Sequence, residues 1–141
     1  MGQMRGIYVA VKALIIRDGK ILIIKRSSKE DVYKNEWDLP GGKLKFGENP
    51  VNGLKREVFE ETGLNIKIVK PISVWTFFKN SGKTQVIGIT FLAKVISGKI
   101  RLGKEHTDFK WILPEEIDKY KIHEEIKKLI KSLKNDDSIT F

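Results

Sequence analysis

One helix in this chain is signed at both ends, and the sequence on either side of it reads as strand. Asn49 can cap its start, because a short side-chain oxygen can accept from the first free backbone N–H groups. Pro50 suits the first helical position, and Gly63 suits the residue just past the end, where the chain commonly turns left-handed. Between them Val51, Leu54 and Val58 recur at helical spacing and mark the buried stripe.

The flanking segments are apolar and β-branched. Tyr8 to Arg17 and Ile21 to Ile24 read as two strands joined at Asp18-Gly19, a hairpin signal. Ser27 to Glu36 reads as a polar loop, and a short strand at Trp37 runs into Gly41-Gly42, where backbone can approach something closely. Further strands are expected over Ile66 to Lys70, Val74 to Phe78 and Gln85 to Val95, with a turn at Asn80-Ser81-Gly82, and a short one over Phe109 to Ile112. Ile122, Ile126, Leu129, Ile130 and Leu133 give a second amphipathic helix, and Asn135 to Phe141 reads as a frayed tail. Strands with helices at two places predict an α/β (α+β) layered fold.

With 141 residues, 40% of them hydrophobic, the chain is expected to form one domain over 1–141. No apolar run approaches the roughly 18–20 residues that cross a bilayer, and Met1 to Gly6 lacks the apolar stretch of a secretory signal, so a cytoplasmic protein without membrane contact is expected. The absence of cysteine excludes disulfides, thiolate catalysis and Cys-ligated metals together. Net charge is +9, carried by 22 Lys and five Arg. These lysines are scattered, apart from Lys127, Lys128, Lys131 and Lys134, which favours a solvated surface over a nucleic-acid patch. Such a field still recruits a small polyanion such as a nucleotide.

The signed helix carries a charge anomaly. Glu57 faces both Glu60 and Glu61, and like charges at that spacing cost roughly 0.2–0.5 kcal/mol per pair. The C-terminal end of a helix is itself partly negative, so Glu60 and Glu61 meet a second penalty. Arg56 can offset part of it by pairing with Glu60, but Glu48 adds a fourth carboxylate just before the helix. Two readings remain: a solvated acidic face, or a site for a missing cation. Hard oxygen donors without cysteine would select Mg²⁺ or Mn²⁺ over zinc.

From Gly42 to Leu64 the chain reads GKLKFGENPVNGLKREVFEETGL. This resembles the Nudix box, in which Gly, five residues, Glu, seven residues, Arg-Glu, an apolar residue, one residue, Glu-Glu, one residue, Gly and an apolar residue follow in order. Gly42, Glu48, Arg56, Glu57, Val58, Glu60, Glu61, Gly63 and Leu64 fill all nine specified positions. The likeness extends to the hairpin before the box, the Trp-x-x-Pro-Gly-Gly lead-in and a Glu-His…Trp segment after it.

The resemblance implies a mixed β-sheet sandwiched between helices, with the box as a loop–helix–loop. It implies a divalent-metal-dependent hydrolase of nucleoside diphosphate derivatives, similar to MutT. Carried over by position, Glu57, Glu60 and Glu61 would ligate the metal, with the Gly41 carbonyl and Glu105 as further ligands. Arg56 would orient the glutamates, Glu48 would brace the loop or hold a water, and Gly42 and Gly63 would shape the turns. Glu57 and Glu105 are both candidates for the base, with Arg56 and Glu60 also in the catalytic set. Arg26 stands where relatives carry a phosphate-contacting Arg; its alternative is a strand-end surface charge.

Outside this set, His106 and His123 read as surface or packing residues with substrate contact as the alternative, and Trp37 and Trp111 as core with ligand contact as the alternative. Among Trp75, Phe77 and Phe78 an aromatic is expected to stack on a base, with Phe77 set opposite its neighbours by alternation. Lys79 stands where ADP-ribose-cleaving members carry Pro, and Asn80 to Gly82 lack the Tyr of dinucleoside-polyphosphate members. Those absences lean toward a nucleoside triphosphate, oxidised or non-standard ones included. ADP-ribose or a nucleotide sugar, an RNA 5′ end, and a non-catalytic nucleotide sensor are the alternatives. Many similar proteins form homodimers, which leaves that arrangement open.

Overall fold

The computed structural model describes residues 6–29 and 34–141. The stretch before Gly6 and part of the expected 27–36 loop lie outside the described residues. In chain order the elements are β1 (Gly6–Arg17), β2 (Lys20–Arg26), β3 (Trp37–Asp38), β4 (Gly41–Lys43), α1 (Pro50–Thr62), β5 (Asn65–Lys79), β6 (Thr84–Ser97), β7 (His106–Ile112), a 3₁₀ turn (Pro114–Lys119) and α2 (Glu124–Leu133). Strands β3-β2-β1-β6-β5 form the path of one sheet, with β4 paired to β1 and β7 to β2. Among the described strand-to-strand pairings β1–β6 is parallel and the others are antiparallel, and an isolated parallel bridge joins Trp37 to Ile122.

Alternation along the central strands divides the core between two faces. Val11, Ala13 and Ile15 of β1, with Leu22 and Ile24 of β2, pack with Leu54 and Val58 of α1. Leu14 and Ile16, with Ile21 and Ile23, pack on the other face with Ile117 of the 3₁₀ turn and Ile130 and Leu133 of α2. The sheet therefore lies between helices. Among the described residues, no helix is long and apolar enough to cross a membrane.

The limits of α1 are those its sequence signals. The Asn49 side chain accepts from the N–H of Val51 at 2.8 Å, and Gly63 ends the helix at φ 76° while donating its N–H to the Phe59 carbonyl. The segment beyond β6 then folds back over this end. Arg101 N–H donates to the Thr62 carbonyl and Gly103 N–H to that of Glu61, satisfying acceptors that the helix itself leaves open.

Two expectations are corrected. Residues 65–79 are one strand, not two: register shifts at Ile68/Lys70 and Pro71/Ser73 absorb the interruption without ending the pairing with β6. Pro71 can sit there because β5 is an edge strand, so its missing N–H need not break a ladder bond. Nor is 135–141 a frayed tail. Ile139 is buried in the α2-side core and Phe141 packs against it, with Asp136 holding the turn by accepting from the N–H of Ser138. Ile139→Ala is therefore expected to lower unfolding free energy by about 2 kcal/mol, measured by urea titration. A frayed end would leave the midpoint unmoved.

Candidate active site

The edge of β1 is shared between two partners, and the site sits at the division. Residues 10–12 pair with β4, whereas 16–17 pair with β2. The chain reaches β4 from β3 by crossing this gap, with the Ala13 N–H donating to the Pro40 carbonyl at 2.8 Å. Lys12 points into the opening and places Nζ 2.8 Å from Asp38 Oδ2; Arg26 Nη1 lies 3.8 Å from the same oxygen.

Because α1 follows β4 directly, its acidic side is carried to this edge. The Gly41 N–H donates to Glu61 Oε1 at 2.7 Å. Burial pushes the Glu61 carboxyl up to about 8, against the opposing pull of the Lys12 charge and the Gly41 hydrogen bond. Burial also raises Glu57, opposed by its hydrogen bond from Arg56. Glu60 points outward, with 54% of its side chain exposed.

Arg56 contacts three carboxylates at once and offsets part of their charge. Its guanidinium donates to Glu48 Oε2 at 2.6 Å and Oε1 at 2.9 Å, to Glu57 Oε1 at 2.9 Å and to Glu60 Oε2 at 3.2 Å. The forked contact with Glu48 pulls that carboxyl down to about 2, helped by the Lys45 N–H, and raises the guanidinium in turn. Glu48 thus ties Arg56 down while Arg56 holds Glu57 in place.

Glu105 and His106 arrive on the segment that covers the end of α1, anchored where the Ser27 N–H donates to the Glu105 carbonyl. The role of His106 is more specific than surface or packing. It is buried, with Nδ1 3.6 Å from Glu61 Oε2, and among the described residues that nitrogen has no hydrogen-bond partner. Burial, then the charges of Lys12 and Arg26, lowers its pKa to about 4, so the ring is neutral at pH 7. One ligand atom each from Glu61, Glu105 and His106 lies within 4.8 Å of the others. A neutral imidazole with an open nitrogen beside carboxylates is a donor set that a divalent cation fits. The adjacent Glu-His pair in the sequence is the signal that could have singled it out.

Glu57, Glu61 and Glu105 open into one cavity of about 580 Å³, together with Lys12 and Arg26. Trp37 lines it as well, besides packing edge-on against Tyr120. Trp111 lies under the Arg17 guanidinium on the α1-side core, as a packing residue. His123 caps α2, its Nδ1 accepting from the Glu125 N–H, at the cavity wall. The arrangement can hold a hard cation against an anion.

A "MutT-like protein" of Streptomyces ambofaciens is 33% identical over 110 residues, covering 77% of this chain and 66% of that one. An "ADP-ribose pyrophosphatase" of Methanocaldococcus jannaschii is 37% identical over 97 residues, covering 69% and 56%. The match thus spans about two thirds of the first relative and little over half of the second. The crystal structure of a MutT protein from Methanosarcina mazei Go1 superposes with a TM-score of 0.84 at 26% identity, covering 98% of this chain and all of that one. The family model for the NUDIX domain matches residues 6–133, from the first residue of β1 to the last of α2, and the chain belongs to that family.

Proposed function

We propose that this chain is a divalent-metal-dependent hydrolase that splits the pyrophosphate linkage of a nucleoside triphosphate into monophosphate and pyrophosphate. One observation carries the reading: buried Glu61 and half-buried Glu57 of α1, with the exposed Glu105, open into the same cavity as Lys12 and Arg26. Glu57, Glu61, Glu105 and the Gly41 carbonyl would hold the cation, Mg²⁺ or Mn²⁺, with Glu60 turning in from its outward position to join them. When bound, the cation supplies a lower pKa for an attacking water and screening of phosphate charge.

The protein's own groups do the rest. Glu57, raised by burial and steered by Arg56, is suited to take the proton of a water whose oxygen bonds to phosphorus as the pyrophosphate oxygen leaves. Glu105 is the second candidate for that proton. Arg26 and Lys12 offset charge developing on the phosphate oxygens.

Lys79, at the position where ADP-ribose-cleaving members carry Pro, lines the cavity and suits a ligand of higher negative charge. ADP-ribose is the second reading, favoured by the 37% identity to the Methanocaldococcus protein. Lys127, Lys128, Lys131 and Lys134 each have an acidic partner within 3.8 Å, which favours a small nucleotide over an RNA chain.

A release assay over nucleoside triphosphates, ADP-ribose, nucleotide sugars and capped or triphosphorylated RNA, with and without Mg²⁺, tests the proposal. The expected result is Mg²⁺-dependent release from nucleoside triphosphates that vanishes in Glu61→Gln. Equal release from that variant would remove the carboxylates from the chemistry.

A further inference from the structure

We propose that Trp75, laid flat over Gly88, is the platform on which the nucleobase of the substrate stacks; the identity of the ligand rests on the hydrolase reading above. The register of the sheet places three residues side by side: Ala10 of β1, Gly88 of β6 and Trp75 of β5. A Cβ built on Gly88 would run into the indole ring, so the ring lies across the glycine. A glycine within an apolar strand is the sequence sign of such a close approach.

The indole is also pinned. Its Nε1 donates to Thr90 Oγ1 at 3.1 Å, which spends the ring's one polar atom inside the sheet. Phe77, two residues on, lies nearly parallel at 14°, with ring centroids 5.8 Å apart. Two rings of shared orientation therefore line the cavity. An aromatic laid over a sheet glycine can be a packing device alone. Packing alone would bury the ring, yet Trp75 stays half-exposed at the cavity wall.

Position relative to the charged groups argues for a ligand. The next row on this face is Lys12, Thr90 and Ser73, and Lys12 pairs with Gly41, whose N–H holds Glu61. Adjacent rows on one face are about 7 Å apart along the strands. On the far side, the ammonium groups of Lys43 and Lys79 lie 4.4 and 4.8 Å from the centre of the Tyr8 ring. A flat apolar surface one row from carboxylates and cations matches a molecule that joins a planar ring to a polyphosphate.

Three probes test this: α,β-methylene-ATP, α,β-methylene-GTP and inorganic tripolyphosphate, which lacks a base. Trp75→Leu is expected to weaken both nucleotides by between about 5-fold and about 150-fold, the usual range for a base–aromatic stack. Tripolyphosphate affinity should stay within about 2-fold of the wild-type value, by the same accounting. Trp75→Phe should restore most of the nucleotide affinity, and quenching of tryptophan fluorescence by the nucleotides should shrink in both variants. Gly88→Val, which drives the ring off the sheet, should reproduce the selective loss.

Unchanged nucleotide affinity, or an equal loss for tripolyphosphate, would overturn the platform. The two proposals separate cleanly. Wild-type turnover with no Trp75 dependence would sink the platform and spare the hydrolase. Selective Trp75-dependent binding without any metal-dependent turnover would do the reverse.

Discussion

Glu61→Gln is expected to stabilise the metal-free protein at pH 8 and above while removing turnover. Glu61 is 8% exposed, and burial raises its carboxyl from 4.5 to about 8. The unfolded chain releases this proton near its ordinary value, so between these two pH values the folded state binds more protons than the unfolded state. Stability must then fall as pH rises through that window and level off above it. Gln removes the titration. Its Oε1 can still accept from the Gly41 N–H, and its amide faces His106 Nδ1, now 3.6 Å from Glu61 Oε2 and lacking a partner.

Taken at face value the shift converts to an upper bound of about 5 kcal/mol. Relaxation and water penetration reduce such penalties, leaving an expected gain of about 1–3 kcal/mol at pH 9. The gain should be near zero at pH 4 and grow steadily between. Urea unfolding in EDTA at pH 4, 7 and 9 measures it. Curves that superpose at all three values would mean that Glu61 is not held in an unfavourable state. Added Mg²⁺ should stabilise the wild type far more than the variant, because ligand bound only to the folded state adds to its stability. Loss of turnover by about 100-fold or more is expected, since even groups that merely support a metal ligand cost that much.

How much of this was open to reading from residues follows from the range of the interactions. The limits of α1 are local, set by Asn49 and Gly63 within a turn of the helix, and the sequence alone locates them. Glu57 and Glu61 share a helical face by spacing, so their clustering is local too. His106 is different. Its burial depends on a register shift at Lys25/Arg26 that brings it opposite Arg26, and on Glu61 reaching round from another element. No window of sequence contains those three partners.

The Lys12–Asp38 pair likewise exists because β1 changes partner midway, a tertiary event. Continuous β5 escaped for the opposite reason: Pro71 is a strong local stop signal, and an edge position overrode it. Ile139 reads as part of a polar end until the α2-side core supplies the surface it covers. The aromatic platform had a local trace, Gly88 in a strand, but its meaning depended on the residue paired opposite.

Three glycines around the box provide the second large effect, because each fails differently when a methyl group is added. Gly47→Ala meets nothing within 4 Å but sits at φ 81°, so it should lose about 1–2 kcal/mol of stability from backbone strain alone. Gly42→Ala has an ordinary backbone, and its methyl would enter the Glu57 carboxylate. That side chain can swing away, so turnover should fall with little change in stability. Gly41→Ala combines both faults against a rigid neighbour. Its φ is 153°, and the methyl would strike the Val11 carbonyl oxygen, with Lys12 Cα at 2.8 Å. These are backbone atoms of β1, at the centre of the sheet, and they cannot move without breaking its pairing. The strand β4 must move instead, taking with it the N–H that holds Glu61. Gly41→Ala should therefore cost about 3–5 kcal/mol, from strain and overpacking together. It should also lower kcat/KM by about 100-fold, the usual consequence of displacing a reacting group by an ångström. Denaturant midpoints and kcat/KM measured on all three variants check the pattern. A Gly41→Ala protein as stable and active as Gly47→Ala would show that β4 does not position Glu61.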